Sequence, residues 1–94
     1  MEPPQEKKLY EALLSLRDAS ACERFLADLC TPGEIHAMAE RWLVAKLVDK
    51  GIPYRKIHEK TGVSTATITR VARALVHGRA GYRLVLDRMK EKRI

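Results

Sequence analysis

Between Pro53 and Leu75 the chain reads PYRKIHEKTGVSTATITRVARAL, and few folds accommodate that run. A short polar helix leads into Thr61-Gly62-Val63-Ser64, and a second helix follows at once. Two helices joined by a tight turn containing Gly form a helix-turn-helix, whose second helix lies in the DNA major groove. The residue types suit it. Gly62 can take the left-handed conformation that ends a helix. Ser64 is a good N-cap, because its hydroxyl accepts from a free backbone N–H of the next helix. Ile57, Val63, Ile68, Val71, Ala72 and Leu75 supply a side to bury, while Thr65, Thr67, Thr69, Arg70 and Arg73 stay polar. The pattern predicts a helix-turn-helix at about residues 54–76 and a DNA-reading role for its second helix.

Charge points to the same place. Residues 1–40 hold 4 Lys/Arg against 8 Asp/Glu, whereas residues 41–94 hold 14 against 4. An acidic front half and a basic back half indicate that the back half faces a polyanion. The helix-turn-helix lies inside that basic half.

Other classes lack support. Residues 1–94 suffice for one small domain. No run approaches the roughly 20 apolar residues that span a bilayer, and the start, MEPPQEKK, does not read as a signal peptide. A cytoplasmic protein with no membrane partner is expected. Cys22 and Cys30 then stay reduced and act as small apolar residues. His36, His58 and His77 show no metal-ligand spacing with them or with each other, so no metal site is expected. No phosphate loop, zinc-peptidase helix or nucleophile elbow appears, so an enzyme is not expected.

The rest of the chain reads as helices. The first runs from after Pro3-Pro4 to about Leu16, with Leu9, Ala12, Leu13 and Leu16 on one face. The second opens with Ser20 and Glu23 in a capping-box arrangement and faces inward with Cys22, Phe25, Leu26 and Leu29. The third has Thr31 as cap, Pro32 in the first turn and Glu34 completing a box. Its apolar stripe is Ile35, Met38, Ala39, Trp42, Leu43, Leu47 and Val48, with Trp42 read as core. Gly51 and Pro53 end it. The fourth covers about Tyr54–Lys60, the fifth about Thr65–Val76 and the sixth about Tyr82–Lys92. Tyr82, Val85, Leu86 and Met89 form one side of the sixth. The expected fold class is all-α, six short helices. The first, third and sixth are more apolar than a compact monomer requires, which points to a two-fold homodimer.

The run Thr31-Pro32-x-Glu34, then Arg41, Gly51 and Gly62-Val63-Ser64-x-Ala66-Thr67-Ile68-Thr69-Arg70, resembles the Trp repressor superfamily. Within it the chain is most similar to the Trp-repressor-related proteins of the YerC/YecD type, over about residues 28–90. The resemblance implies a bacterial, TrpR-like, six-helix intertwined homodimer that binds operator DNA in transcriptional control. It also implies a corepressor pocket between the recognition helix and the core. At matching positions Thr31, Arg41 and Arg70 agree in residue type. Val71 replaces a Gly that leaves room for the indole, and Ala74 replaces a Ser that helps hold the amino group. Overfilling a packed site costs about 1–3 kcal/mol. Tryptophan is therefore not the expected ligand. Either another small-molecule corepressor is used, or the protein fills its own pocket and needs no cofactor.

Roles follow from position. Thr65, Ala66 and Thr69 are the expected base-edge readers. Ser64, Thr67, Arg55 and Lys56 are expected on phosphate, near the free N–H groups of a helix start. Arg73 suits either role, and Arg70 suits phosphate or a pocket wall. Three threonines in five positions are poor helix formers, a cost that a use for their hydroxyls and methyls explains. The competing expectation is a helix-turn-helix module that docks on the transcription machinery rather than on double-stranded DNA.

Overall fold

The structure is a computed structural model that describes residues 4–91. Its described residues form six helices: α1 (Pro4–Leu14), α2 (Ala19–Leu29), α3 (Pro32–Asp49), α4 (Tyr54–Thr61), α5 (Thr65–His77) and α6 (Gly81–Glu91). No strand occurs among them. Lys92, the expected end of the last helix, lies outside the described residues. The chain divides into two compact units, one ending at His36 and one starting at Ala37, so the division falls inside α3.

In the first unit the helix ends differ from expectation. α1 stops at Leu14 rather than Leu16, because the Ser15 hydroxyl and amide both donate to the Ala12 carbonyl, at 2.6 and 3.1 Å. Those bonds draw the chain out of the helical path. Asp18, not Ser20, caps α2: its carboxylate accepts from the Ala21 amide at 2.8 Å while its own backbone is extended. A carboxylate at a helix start also meets the positive end of the dipole, so the Asp takes the cap. The Thr31–Glu34 box forms as expected. Thr31 N–H donates to Glu34 at 2.8 Å, and Glu34 N–H donates to the Thr31 hydroxyl at 3.1 Å. Bonding from the Thr31 backbone first, and its side chain second, holds the Glu34 carboxyl below its ordinary range. No described residue of this unit is buried, and Tyr10, Leu13, Leu14 and Leu29 are exposed.

The second unit holds the core. Val44, Ala45, Ile57 and Ile68 have no exposed surface, and Val63 and Val71 complete the cluster. On α3 this differs from the expected stripe, which omitted Val44 and Ala45. The wide apolar surface of α3 carries two possible inner faces, and the packing selects the one centred on Val44, Ala45 and Val48. Met38 and Leu43 stay exposed, while Trp42 is half-buried against the core with the Lys46 ammonium 5.8 Å from its ring. Among the described residues of α6 only Leu86 is buried, and Val85 and Met89 are exposed.

Gly51, with φ +82, ends α3 in a Schellman arrangement. Ile52 N–H donates to Leu47 O at 3.2 Å and Gly51 N–H to Val48 O at 2.9 Å. Gly78 ends α5 for another reason: a Cβ there would collide with the Ala74 carbonyl.

A charge cluster ties the end of α3 to α6. Asp49, its side chain 12% exposed, accepts from Arg83 at 2.6 Å and Lys90 at 3.0 Å, and Arg83 also reaches Asp87 at 3.3 Å. The Arg83 bond first, and the Lys90 bond second, hold the Asp49 carboxyl below its ordinary range. A carboxyl depressed in the folded state adds stability above its unfolded pKa and loses it as pH falls through the folded value. Asp49→Asn is therefore expected to cost about 1 kcal/mol at neutral pH. The gap from wild type should close as pH falls below about 3.9, the ordinary Asp value. Urea unfolding at fixed protein concentration, repeated across that range, checks this; a pH-independent gap would show that the ion pairs are not its source.

Candidate nucleic-acid interface

The turn between α4 and α5 is held by side chains at every step. Gly62 is left-handed at φ +75, and its N–H donates to His58 O at 2.9 Å. The Thr61 hydroxyl donates to Ile57 O at 2.7 Å and accepts from Val63 N–H at 3.1 Å. His58 Nδ1 lies 2.7 Å from Val63 O. Ser64 caps α5 as expected, accepting from Thr67 N–H at 3.1 Å. Its own proton points to the Thr67 hydroxyl at 3.0 Å. The Thr65 and Ala66 amides have no intrahelical acceptor, as at any helix start.

Inward-facing Ile57, Val63 and Ile68 lock the two helices together. The opposite face of α5 is open. Thr65, Ala66, Thr69, Arg70 and Arg73 are exposed and line one shallow concavity. Thr67 lies at its flank, half-buried and bonded to Ser64. Arg55 and Lys56 are exposed on the first turn of α4. Arg55, Lys56, Arg70 and Arg73 make no ion pair among the described residues. Sequence reasoning did not include Tyr54 or His77. Both line the next hollow along α5, where they share Thr69 and Arg73 with the first. An exposed aromatic directly after Pro53 and before two cations was the available signal for Tyr54.

Of the residues matched to a corepressor pocket, Thr31 directly precedes α3, Arg41 lies on α3, and Arg70, Val71 and Ala74 lie on α5. Thr31 lies in the first unit with its hydroxyl and amide engaged by Glu34. Arg41 is half-buried on α3. Arg70 is on the open face of α5, whereas its neighbour Val71 is 1% exposed and packed in the core. Ala74 lines a hollow with Gly78, Arg79, Gly81 and Tyr82. Among the described residues, no group of His, Cys, Asp or Glu is arranged to hold a metal ion, and no helix is long and apolar enough to cross a membrane.

An open, cationic recognition-type helix on a six-helix scaffold defines a helix-turn-helix regulator. The chain belongs to the Trp repressor protein family, whose pattern it matches over residues 5–90. That family comprises DNA-binding regulators rather than enzymes. The YerC protein of Bacillus subtilis (strain 168) is 48% identical over 84 residues, covering 89% of this chain and 81% of that protein. The Trp operon repressor homolog of Actinobacillus succinogenes is 45% identical over 49 residues, or 51% of this chain and 48% of that one. The solved structure of a TrpR-like protein from Eubacterium eligens ATCC 27750 superposes with a TM-score of 0.90 at 40% identity, over 95% of this chain and 92% of that one.

Loss of the Ser64 cap should be felt at once in the reading head. Ser64→Ala is expected to destabilise by about 1 kcal/mol, and Ser64→Gly by only a few tenths. Thermal unfolding of the two variants checks this; an Ala variant as stable as wild type would mean that the hydroxyl bonds contribute nothing.

Proposed function

We propose that this protein is a cytoplasmic, sequence-specific regulator of transcription that reads the major groove of double-stranded DNA as a homodimer, without tryptophan. One observation carries the reading: Thr65, Ala66, Thr69, Arg70 and Arg73 share one open face whose arginines are left unpaired among the described residues. Thr65, Ala66 and Thr69 touch base edges, where threonine serves several bases and its methyl meets thymine. Arg55, Lys56, Arg70 and Arg73, with the Ser64–Thr67 cap, hold the phosphates.

Exposed Leu13, Leu14, Leu29, Leu84, Val85 and Met89 support dimerisation, because a second copy would remove them from water. Two reading heads on one face then address successive major grooves about 34 Å apart. Independence from tryptophan rests on Val71, whose side chain already packs in the core cluster.

Selection from a random duplex pool tests the proposal. A two-fold symmetric site with half-sites one helical turn apart is expected, recovered equally well with and without added tryptophan. Enrichment only in the presence of tryptophan would overturn the ligand-free reading. Absence of duplex binding at low salt would favour a module that docks on another protein. Arg55→Ala should weaken binding to all sequences and lower the slope of log affinity against log salt by about one unit per subunit. An unchanged slope in salt titrations would remove Arg55 from the phosphate contacts.

A further inference from the structure

The bond that joins His58 to the turn leaves half of its ring unused. A carbonyl oxygen only accepts, so the 2.7 Å contact with Val63 O requires Nδ1 to carry a proton. In the neutral ring Nε2 is then a bare lone pair. His58 is exposed, and Nε2 has no partner among the described residues. Val63 directly precedes the Ser64 cap, so the ring is anchored at the seam between α4 and the start of α5. In a helix-turn-helix the first helix crosses the nucleic-acid backbone.

We infer that His58 is a protonation-linked phosphate contact: duplex binding draws a proton onto Nε2, and the imidazolium donates to a backbone phosphate while Nδ1 keeps its hold on Val63. This rests on the DNA-binding reading above. A lone pair facing a phosphate oxygen is repelled, whereas a charged N–H forms one of the stronger hydrogen bonds available to a protein. Histidine is the side chain whose ordinary titration crosses physiological pH. The surrounding charges are few. On α4 they are Arg55, Lys56, Glu59 and Lys60. The turn has none, and the first on α5 is Arg70, five residues after Thr65. α3, whose Val44 and Ala45 share the core with Ile57, carries Lys46 and Asp49 toward its end with Lys50 directly after, and Asp49 is taken by Arg83 and Lys90. The bond to Val63 thus gives His58 two roles: it fixes the turn in either protonation state, and it grips phosphate in one.

Fluorescence anisotropy of a labelled mixed-sequence duplex, from about pH 8 to about pH 5.5, tests this. The proteins compared are wild type and His58→Asn, whose amide nitrogen retains a donor for Val63 but cannot titrate. Wild-type affinity is expected to rise as pH falls by about tenfold per subunit more than that of the variant. His36 and His77 are present in both proteins and cancel in the difference. The wild-type salt slope should also steepen by about one unit per subunit at the acid end, which a purely structural role would not produce. Parallel pH profiles, or a salt slope independent of pH, would overturn the assignment. A second measurement needs no variant: the His58 ring, followed by NMR in wild-type protein, should titrate at higher pH with duplex than without, and an unmoved titration also overturns it. Absence of duplex binding at every pH is a distinct outcome, which fails the DNA reading and this proposal together.

Discussion

Ile57 and Ile68 are sealed from water across the turn that joins α4 to α5, and the rest of the reading head depends on that contact. Burying each contributes about 1.5–3 kcal/mol. A helix repeats every 3.6 residues, so fixing Ile68, Val71 and Ala72 inward turns residues 66, 69, 70 and 73 outward. The exposure of the polar face is therefore not a separate property. Gly62 and the bonds of His58, Thr61 and Ser64 fix the angle at which the two isoleucines meet. A change in that turn would move every outward residue of α5 together.

Charge is distributed by the same packing. The second unit carries many more cations than anions, but they are not equivalent. Arg83 and Lys90 of α6 are drawn onto Asp49, and Arg83 also reaches Asp87. Those pairs neutralise Arg83 and Lys90 and join α6 to α3. On α4 and α5 the cations Arg55, Lys56, Arg70 and Arg73 are left without such partners among the described residues. Positive potential thus survives where the polar face of α5 is also open. Composition alone shows the excess; placement of the few carboxylates decides where it acts.

What could be read from the sequence was what short-range bonding dictates. The Thr31–Glu34 box, the left-handed Gly62 and the Ser64 cap each involve residues within one turn, and each formed where expected. Ser20 and Asp18 were both able caps for α2, and periodicity does not rank them. The inner face of α3 was hidden for a related reason: with apolar residues around much of its circumference, only the tertiary contact chooses Val44 and Ala45. Arg83 and Asp49 are thirty-four positions apart, and no local rule pairs them. On α5 the exposure of Thr65, Ala66, Thr69, Arg70 and Arg73 was legible because exposed positions alternate with buried ones. Tyr54 and the His58–Val63 bond were not, since both depend on how closely α4 approaches the turn.

The difference between a ligand-gated reader and a self-sufficient one comes down to what holds α5 against the core. A ligand present at a hundred times its Kd stabilises the state it binds by about 2.7 kcal/mol. Burying one valine side chain contributes about 1.5–3 kcal/mol. Val71, in contact with the cluster of Val44, Ala45 and Ile68, is therefore comparable in size to saturation with a small molecule. Its contribution does not depend on concentration, because the side chain is part of the helix it holds. Under the proposed reading, a recognition helix held in this way would have no unliganded, loosened state for a corepressor to correct. On this argument the proposed independence from tryptophan follows from occupied volume, and regulation of this protein would have to act on the open face or the turn rather than behind α5.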